Sequence, residues 1–168
     1  MHLPPLNADL ALDPKGRVML PRTLRDALDD EGINKMVAFA NGGPRRGLAF
    51  SRVGDYRALA ARHQGGPAAG SDVIDLMDAR ARLFALAVAS TAQAVSIDNA
   101  GRMLIPSPLR AMLGLDHDLY LFTAGGWFEI WDRARWLAEG FPQAAQAWDD
   151  LYGFDSLRPG ARLAGGGE

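Results

Sequence analysis

Asp13-Pro14-Lys15-Gly16-Arg17, followed by Pro21, Leu24, Arg25 and Leu28, returns as Asp98-Asn99-Ala100-Gly101-Arg102, followed by Pro106, Leu109, Arg110 and Leu113, with every matched pair 85 positions apart. A repeat at fixed offset identifies the folding unit before any single residue is weighed. The chain of 168 residues therefore holds the same unit twice. With 48% hydrophobic and 23% charged residues it can bury a core. It has no cysteine, which removes disulfides, thiolate metal sites and thiol nucleophiles.

Each copy implies the same local order. Short apolar strands at residues 8–12 and 94–97 lead into the Asp-x-x-Gly-Arg turns, and return strands follow at 18–20 and 103–105. Asp13 and Asp98 suit such a turn because a carboxylate can accept backbone N–H groups two residues on, and Gly16 and Gly101 supply the positive φ of a tight reversal. Pro21 and Pro106 fit the first position of a helix, with Leu24 and Leu28, or Leu109 and Leu113, four apart on its buried side. A hairpin follows in each copy: residues 36–39 and 48–50 flank Asn41-Gly42-Gly43-Pro44, and 119–122 and 128–131 flank Ala124-Gly125-Gly126. Short helices come next, at 54–62 and at 133–139, the latter capped by Asp132.

The units so defined are a first half-domain at 8–62, a linker and connecting helix at 63–93, a second half-domain at 94–139, and an extension at 140–168 whose end reads as disordered. The linker is the Gly/Ala/Pro stretch 64–70, and the helix starts at Ser71 with Val73, Met77, Phe84 and Val88 as its apolar stripe.

The net charge of −2 is unevenly spread: residues 13–25 carry +3, residues 98–110 carry +1, and the remainder carries −6. A polyanion feels the local field rather than the total, so the basic segments keep DNA open as a partner. The N-terminus lacks a basic flank leading into an apolar run, and no stretch approaches the roughly 20 apolar residues that cross a bilayer. A cytoplasmic protein with no membrane partner is the expectation.

Two Asp-x-x-Gly-Arg-x-x-x-Pro-x-x-x-Arg units, separated by a helix and completed by Phe128-Glu129-Ile130-Trp131-Asp132 and Trp136, resemble the MraZ family of bacterial regulators of the division and cell-wall gene cluster. The likeness spans roughly residues 10–139. It implies an α+β, mainly β fold: two swapped-hairpin half-domains of AbrB type interlocked as an internal pseudo-dimer, with short helices. It further implies a nucleoid-associated, ring-like homo-oligomer that binds short direct repeats in double-stranded DNA upstream of the regulated promoter. The chain departs from the family's pattern in three places. Ala100 stands where the first copy has Lys15, the opening Met1-His2-Leu3-Pro4-Pro5-Leu6-Asn7 is atypical, and residues 141–158 extend beyond the likeness.

An arginine at the exit of a rigid turn on a two-stranded ribbon is placed to enter the major groove and fork onto guanine O6 and N7, which makes Arg17 and Arg102 the first candidates. Lys15, a flexible point charge, suits phosphate. Arg22, Arg25 and Arg110 are further phosphate candidates, although Arg25 and Arg110 equally suit salt bridges to the turn aspartates. Solvation alone explains one Gly-Arg turn; recurrence favours function for two. Trp127, Trp131, Trp136 and Trp148 fit core or subunit contacts better than base stacking.

The enzyme class is disfavoured. His2, His63 and His117 are dispersed, and neither a nucleophile elbow nor a phosphate loop is present. Asp116-His117-Asp118 reads as a polar turn after Gly114 rather than a metal site. No catalytic residue, metal or cofactor is expected. The remaining rival is an antitoxin-like or scaffolding protein of the same fold whose main partner is another protein.

Overall fold

In the computed structural model, which describes residues 3–41, 47–64 and 79–152, the repeat folds twice into strand, turn, strand, helix and hairpin. The first copy comprises β1 (Asn7–Ala11), β2 (Arg17–Met19), α1 (Arg22–Asp30), β3 (Lys35–Ala40) and β4 (Leu48–Arg52). Helices α2 (Val53–Gln64) and α3 (Ala79–Thr91) follow it. The second copy comprises β5 (Gln93–Ser96), β6 (Arg102–Leu104), α4 (Ser107–Leu113), β7 (Asp118–Thr123) and β8 (Phe128–Asp132). After it come α5 (Arg133–Arg135), a π-helical turn (Trp136–Gly140) and α6 (Phe141–Tyr152). The chain divides into two compact units after Arg133, so β1 to β8 form one unit and the helical segment from Ala134 another. Of the linker expected at 64–70, Gln64 instead ends α2, and the rest lies outside the described residues, as do the helix start with Ser71, Val73 and Met77, the tip of the first hairpin and the tail from 159.

The repeats exchange strands. One antiparallel sheet has the order β1-β7-β8-β4-β3-β5, so the first strand of each copy pairs with the hairpin of the other. The return strands β2 and β6 leave that sheet and pair with each other as a separate ribbon, Arg17 opposite Leu104, Val18 opposite Met103 and Met19 opposite Arg102. The architecture is the α+β, mainly β, swapped-hairpin fold that the family resemblance implies. Its pseudo-twofold passes between β4 and β8, where the paired Phe50 and Phe128 stack with centroids 4.7 Å apart and both are fully buried.

A single core explains the leucine spacing. Leu24 and Leu28 of α1 and Leu109 and Leu113 of α4 join Val18 and Met103 from beneath the ribbon and Leu48, Phe50, Phe128 and Ile130 from the sheet. Because both copies feed one core, neither exchanged strand can withdraw without exposing the other copy's apolar side chains. Val37, Phe39 and Ala49 on the opposite sheet face pack with Val88 of α3, against Val53 and Tyr56. The matching face of β8 carries Glu129, a buried carboxylate that accepts from Asn41 Nδ2 (2.6 Å), Trp127 Nε1 (3.2 Å) and Trp131 Nε1 (2.9 Å).

Several boundaries differ from the expected ones. Pro21 and Pro106 occupy the N-cap, with φ −56° and ψ 144° or 133°, rather than the first helical residue. The ring fixes φ but leaves ψ open, so proline serves an extended cap as well as a helix start. Leu12 and Ile97 pair as isolated bridges with Val18 and Met103 of their own repeats, so the chain already turns from sheet to ribbon at those residues. The atypical opening still reaches the sheet: Leu3 N–H donates to Gly125 O (2.8 Å) and Leu6 N–H to Thr123 Oγ1 (2.8 Å). The second short helix, expected to end near Glu139, passes instead through the π-helical turn into α6. No helix among the described residues is long and apolar enough to cross a membrane.

Candidate nucleic-acid interface

The two turns have almost the same geometry. Asp13 N–H donates to Arg17 O, Gly16 N–H to Asp13 O, and Asp13 Oδ1 accepts from the N–H of Lys15 and of Arg17, all at 2.8–2.9 Å. Asp98 repeats this with Arg102, Gly101 and Ala100. Gly16 and Gly101 sit at φ 81° and 78°, in the left-handed region that a Cβ disfavours. The carboxylates therefore form the turns, as their type and spacing suggest.

They also do something the sequence does not reveal. Oδ2 of Asp13 accepts from Arg17 Nε (2.8 Å) and Nη2 (2.7 Å), and Oδ2 of Asp98 accepts from Arg102 Nε (2.8 Å). Each aspartate thus sets the backbone with one oxygen and aims its arginine with the other. The backbone N–H of Arg17, then its guanidinium, hold the Asp13 carboxyl below the usual range; for Asp98 the Arg102 N–H is the main cause, against some desolvation.

Pairing of β2 with β6 brings these turns together on one ribbon. Val18 and Met103 point inward; Met19 and Leu104 point out, 50% and 53% exposed, each opposite an arginine. Two arginines and two apolar side chains thus alternate diagonally on one narrow, pseudo-symmetric face. Lys15 is exposed beside the first turn. Arg22 stands away on α1, its side chain 85% exposed and 3.5 Å from Asp26.

Among the described residues the side chains of Arg25 and Arg110 bond backbone carbonyls rather than a turn carboxylate. Each lies on the turn glycine of the other repeat, Arg25 over Gly101 and Arg110 over Gly16. Spacing along the chain carries no signal for such a crossing; the exchanged topology does. Of the tryptophans with described side chains, Trp131 is buried, Trp127 is 43% exposed on the second hairpin and Trp136 is half-buried. Asp116, His117 and Asp118 follow Gly114, which ends α4 at φ 58°, and His117 Nδ1 lies 2.7 Å from Asp118 Oδ1.

The family model described as "MraZ protein, putative antitoxin-like" matches residues 88–139, the second repeat and the helix end before it. Relatives similar over both repeats include the protein named Transcriptional regulator MraZ in Aromatoleum aromaticum, 31% identical over 149 residues, which is 88% of this chain and 94% of that one. The protein of the same name in Thiobacillus denitrificans is 31% identical over 140 residues, 83% of this chain and 85% of its own. That of Thermomicrobium roseum is 28% identical over 136 residues, 81% and 86%.

Proposed function

The chain belongs to the MraZ family, and from that premise we propose that it is a transcriptional regulator that binds double-stranded DNA sequence-specifically through its β2–β6 ribbon. The observation that carries this reading is the pairing that sets Arg17 and Arg102, each aimed by its own aspartate, on one face. A guanidinium has five N–H donors; with Nε, and in Arg17 one N–H of Nη2, held by the aspartate, the outward N–H of each terminal nitrogen remains to fork onto guanine O6 and N7 in the major groove. Arg17 and Arg102 read bases in this mechanism, and Lys15 and Arg22 meet phosphate. Met19 and Leu104 supply apolar contact between the arginines, the kind of surface that packs on a thymine methyl.

One ribbon offers few base contacts. We therefore assign the chain to an oligomer, ring-like as its family resemblance implies, whose subunits occupy direct repeats set about one helical turn, roughly 10 base pairs, apart. The regulated region would lie upstream of the division and cell-wall cluster, which places the protein in the cytoplasm with the nucleoid. Neither catalysis nor a cofactor enters the mechanism. The test is a mobility-shift titration of the full chain on the DNA upstream of its own gene, against a scrambled duplex of equal length. A ladder of complexes that survives the scrambled competitor supports the reading. Smearing abolished equally by either competitor rejects it in favour of a protein partner.

A further inference from the structure

The crossed arginines carry a role beyond direct contact. A Cβ built on Gly16 would stand 2.5 Å from Arg110 Cζ and 2.7 Å from its Nη2, and one on Gly101 would overlap the Cδ of Arg25. Only glycine lets the side chains lie this close. The contacts are completed by hydrogen bonds that cross between repeats: Ile105 N–H donates to Gly16 O (2.9 Å), Leu20 N–H donates to Gly101 O (3.0 Å) and Arg25 Nη1 donates to Ala100 O (3.3 Å). Arg110 Nε donates to Ile105 O (3.0 Å). Each turn is therefore fixed on one side by its own aspartate and on the other by the helix of the partner repeat.

We infer that Arg25 and Arg110 are positioning residues acting in trans, Arg25 setting the angle at which Arg102 is presented and Arg110 doing so for Arg17. The physical route is short. The peptide units on either side of Gly101 supply the Ala100 O that accepts from Arg25, the Gly101 N–H that donates to Asp98 O and the Arg102 N–H that Asp98 Oδ1 accepts, and Asp98 Oδ2 holds Arg102. A turn released from Arg25 can rotate those units and carry the arginine with them.

The two supports are unequal. Arg110 closes a linked path, from its Nε through Ile105 to Gly16. The Nε of Arg25 is enclosed and has no hydrogen-bond partner among the described residues. An enclosed N–H without a partner weakens the arrangement that buries it.

The consequence for binding rests on the groove-reading role of Arg17 and Arg102, so the experiment has one arm with DNA and one without. The variants are Arg25→Met and Arg110→Met in the full chain, which keep an apolar stem and lose the fork. In the free protein, amide NMR shifts should move at Asn99 to Arg102 for Arg25→Met and at Lys15 to Arg17 for Arg110→Met. Shifts confined to the mutated repeat's own turn would overturn the inference. On the operator duplex, Arg25→Met should weaken binding about tenfold, part of what a bidentate base contact provides. The same change should have less than about a twofold effect once Arg102→Ala is present and its full effect beside Arg17→Ala. The salt slope should stay unaltered. Equal losses in both backgrounds, with a slope lower by about one unit, would show a direct phosphate contact instead. Wild-type protein that fails to distinguish operator from scrambled duplex would reject groove reading, and the amide pattern would still decide the trans contact. Should a Met variant lose its cooperative melt, Arg25→Lys and Arg110→Lys, which keep the charge without the planar fork, are read by the amide shifts and the double-variant comparison alone, since their salt slope is not expected to change.

Discussion

Replacing Gly101 by alanine tests the crossed packing, because a second left-handed glycine separates backbone strain from steric overlap. Gly32 has φ 66° with nothing within 4 Å of the point a Cβ would occupy, so Gly32→Ala feels only the backbone. That strain is about 1–2 kcal/mol, reduced by about 0.4–1 kcal/mol because alanine also restricts the unfolded chain. A net loss near 1 kcal/mol follows. Gly101→Ala carries the same strain at φ 78° and adds overlap with the Cδ of Arg25. Cδ lies midway along the side chain and cannot step aside alone, and overpacking costs about 1–3 kcal/mol. Arg25 borders a recess of about 330 Å³ lined also by Asp29, Asp98 and Asn99, into which it can retreat. The lower part of that range then applies, for a total of about 2–3 kcal/mol.

Thermal and urea denaturation of the full chain should show this directly. At about 3–4 °C per kcal/mol, Gly101→Ala should melt roughly 6–12 °C below wild type and Gly32→Ala about 3–4 °C below. Adding Arg25→Ala to Gly101→Ala removes the overlap, so the two losses should sum to more than the double variant shows. Equal melting of the two glycine variants, or strict additivity in the pair, would refute the packing argument.

Phe128→Ala, which empties one side of the stacked pair on the pseudo-twofold, should destabilise by about 3–5 kcal/mol in urea titration, and a loss under about 1 kcal/mol would mean that the exchanged sheet is not the core. Asp13 and Asp98 have folded pKa values below the unfolded value of about 3.9. Their stabilisation is therefore present above that value and lost as pH falls through the lower folded one, so in acid titration the Asp13→Asn/Asp98→Asn variant should lose less stability than wild type. Lys15→Ala should weaken binding to operator and scrambled duplex alike and lower the salt slope by about one unit, as read from affinity at several salt concentrations; an unchanged slope would remove it from the phosphate contacts.

The 85-residue offset made the turns, both helices and both hairpins legible, because aspartate, glycine, proline and paired leucines act through neighbours two to four residues away. Local patterns could not say which hairpin β1 would join, since Asn7–Ala11 is short and its alternation fits either. Family resemblance supplied that exchange. The second role of Asp13 and Asp98 was hidden because one residue type serves both a turn and an ion pair, and the site of Arg25 and Arg110 because it depends on contacts 75 or more residues away. Met19 and Leu104 read locally as strand residues; only the β2–β6 register turns them outward between arginines.

Titration of wild type, Arg17→Ala and Arg102→Ala on the upstream DNA, with the scrambled duplex in parallel and circular dichroism to confirm the fold, addresses the central claim most directly. Groove reading predicts that each substitution weakens specific binding by on the order of 1–3 kcal/mol while affinity for the scrambled duplex changes far less. Unchanged specific affinity in both variants would contradict groove reading by the ribbon.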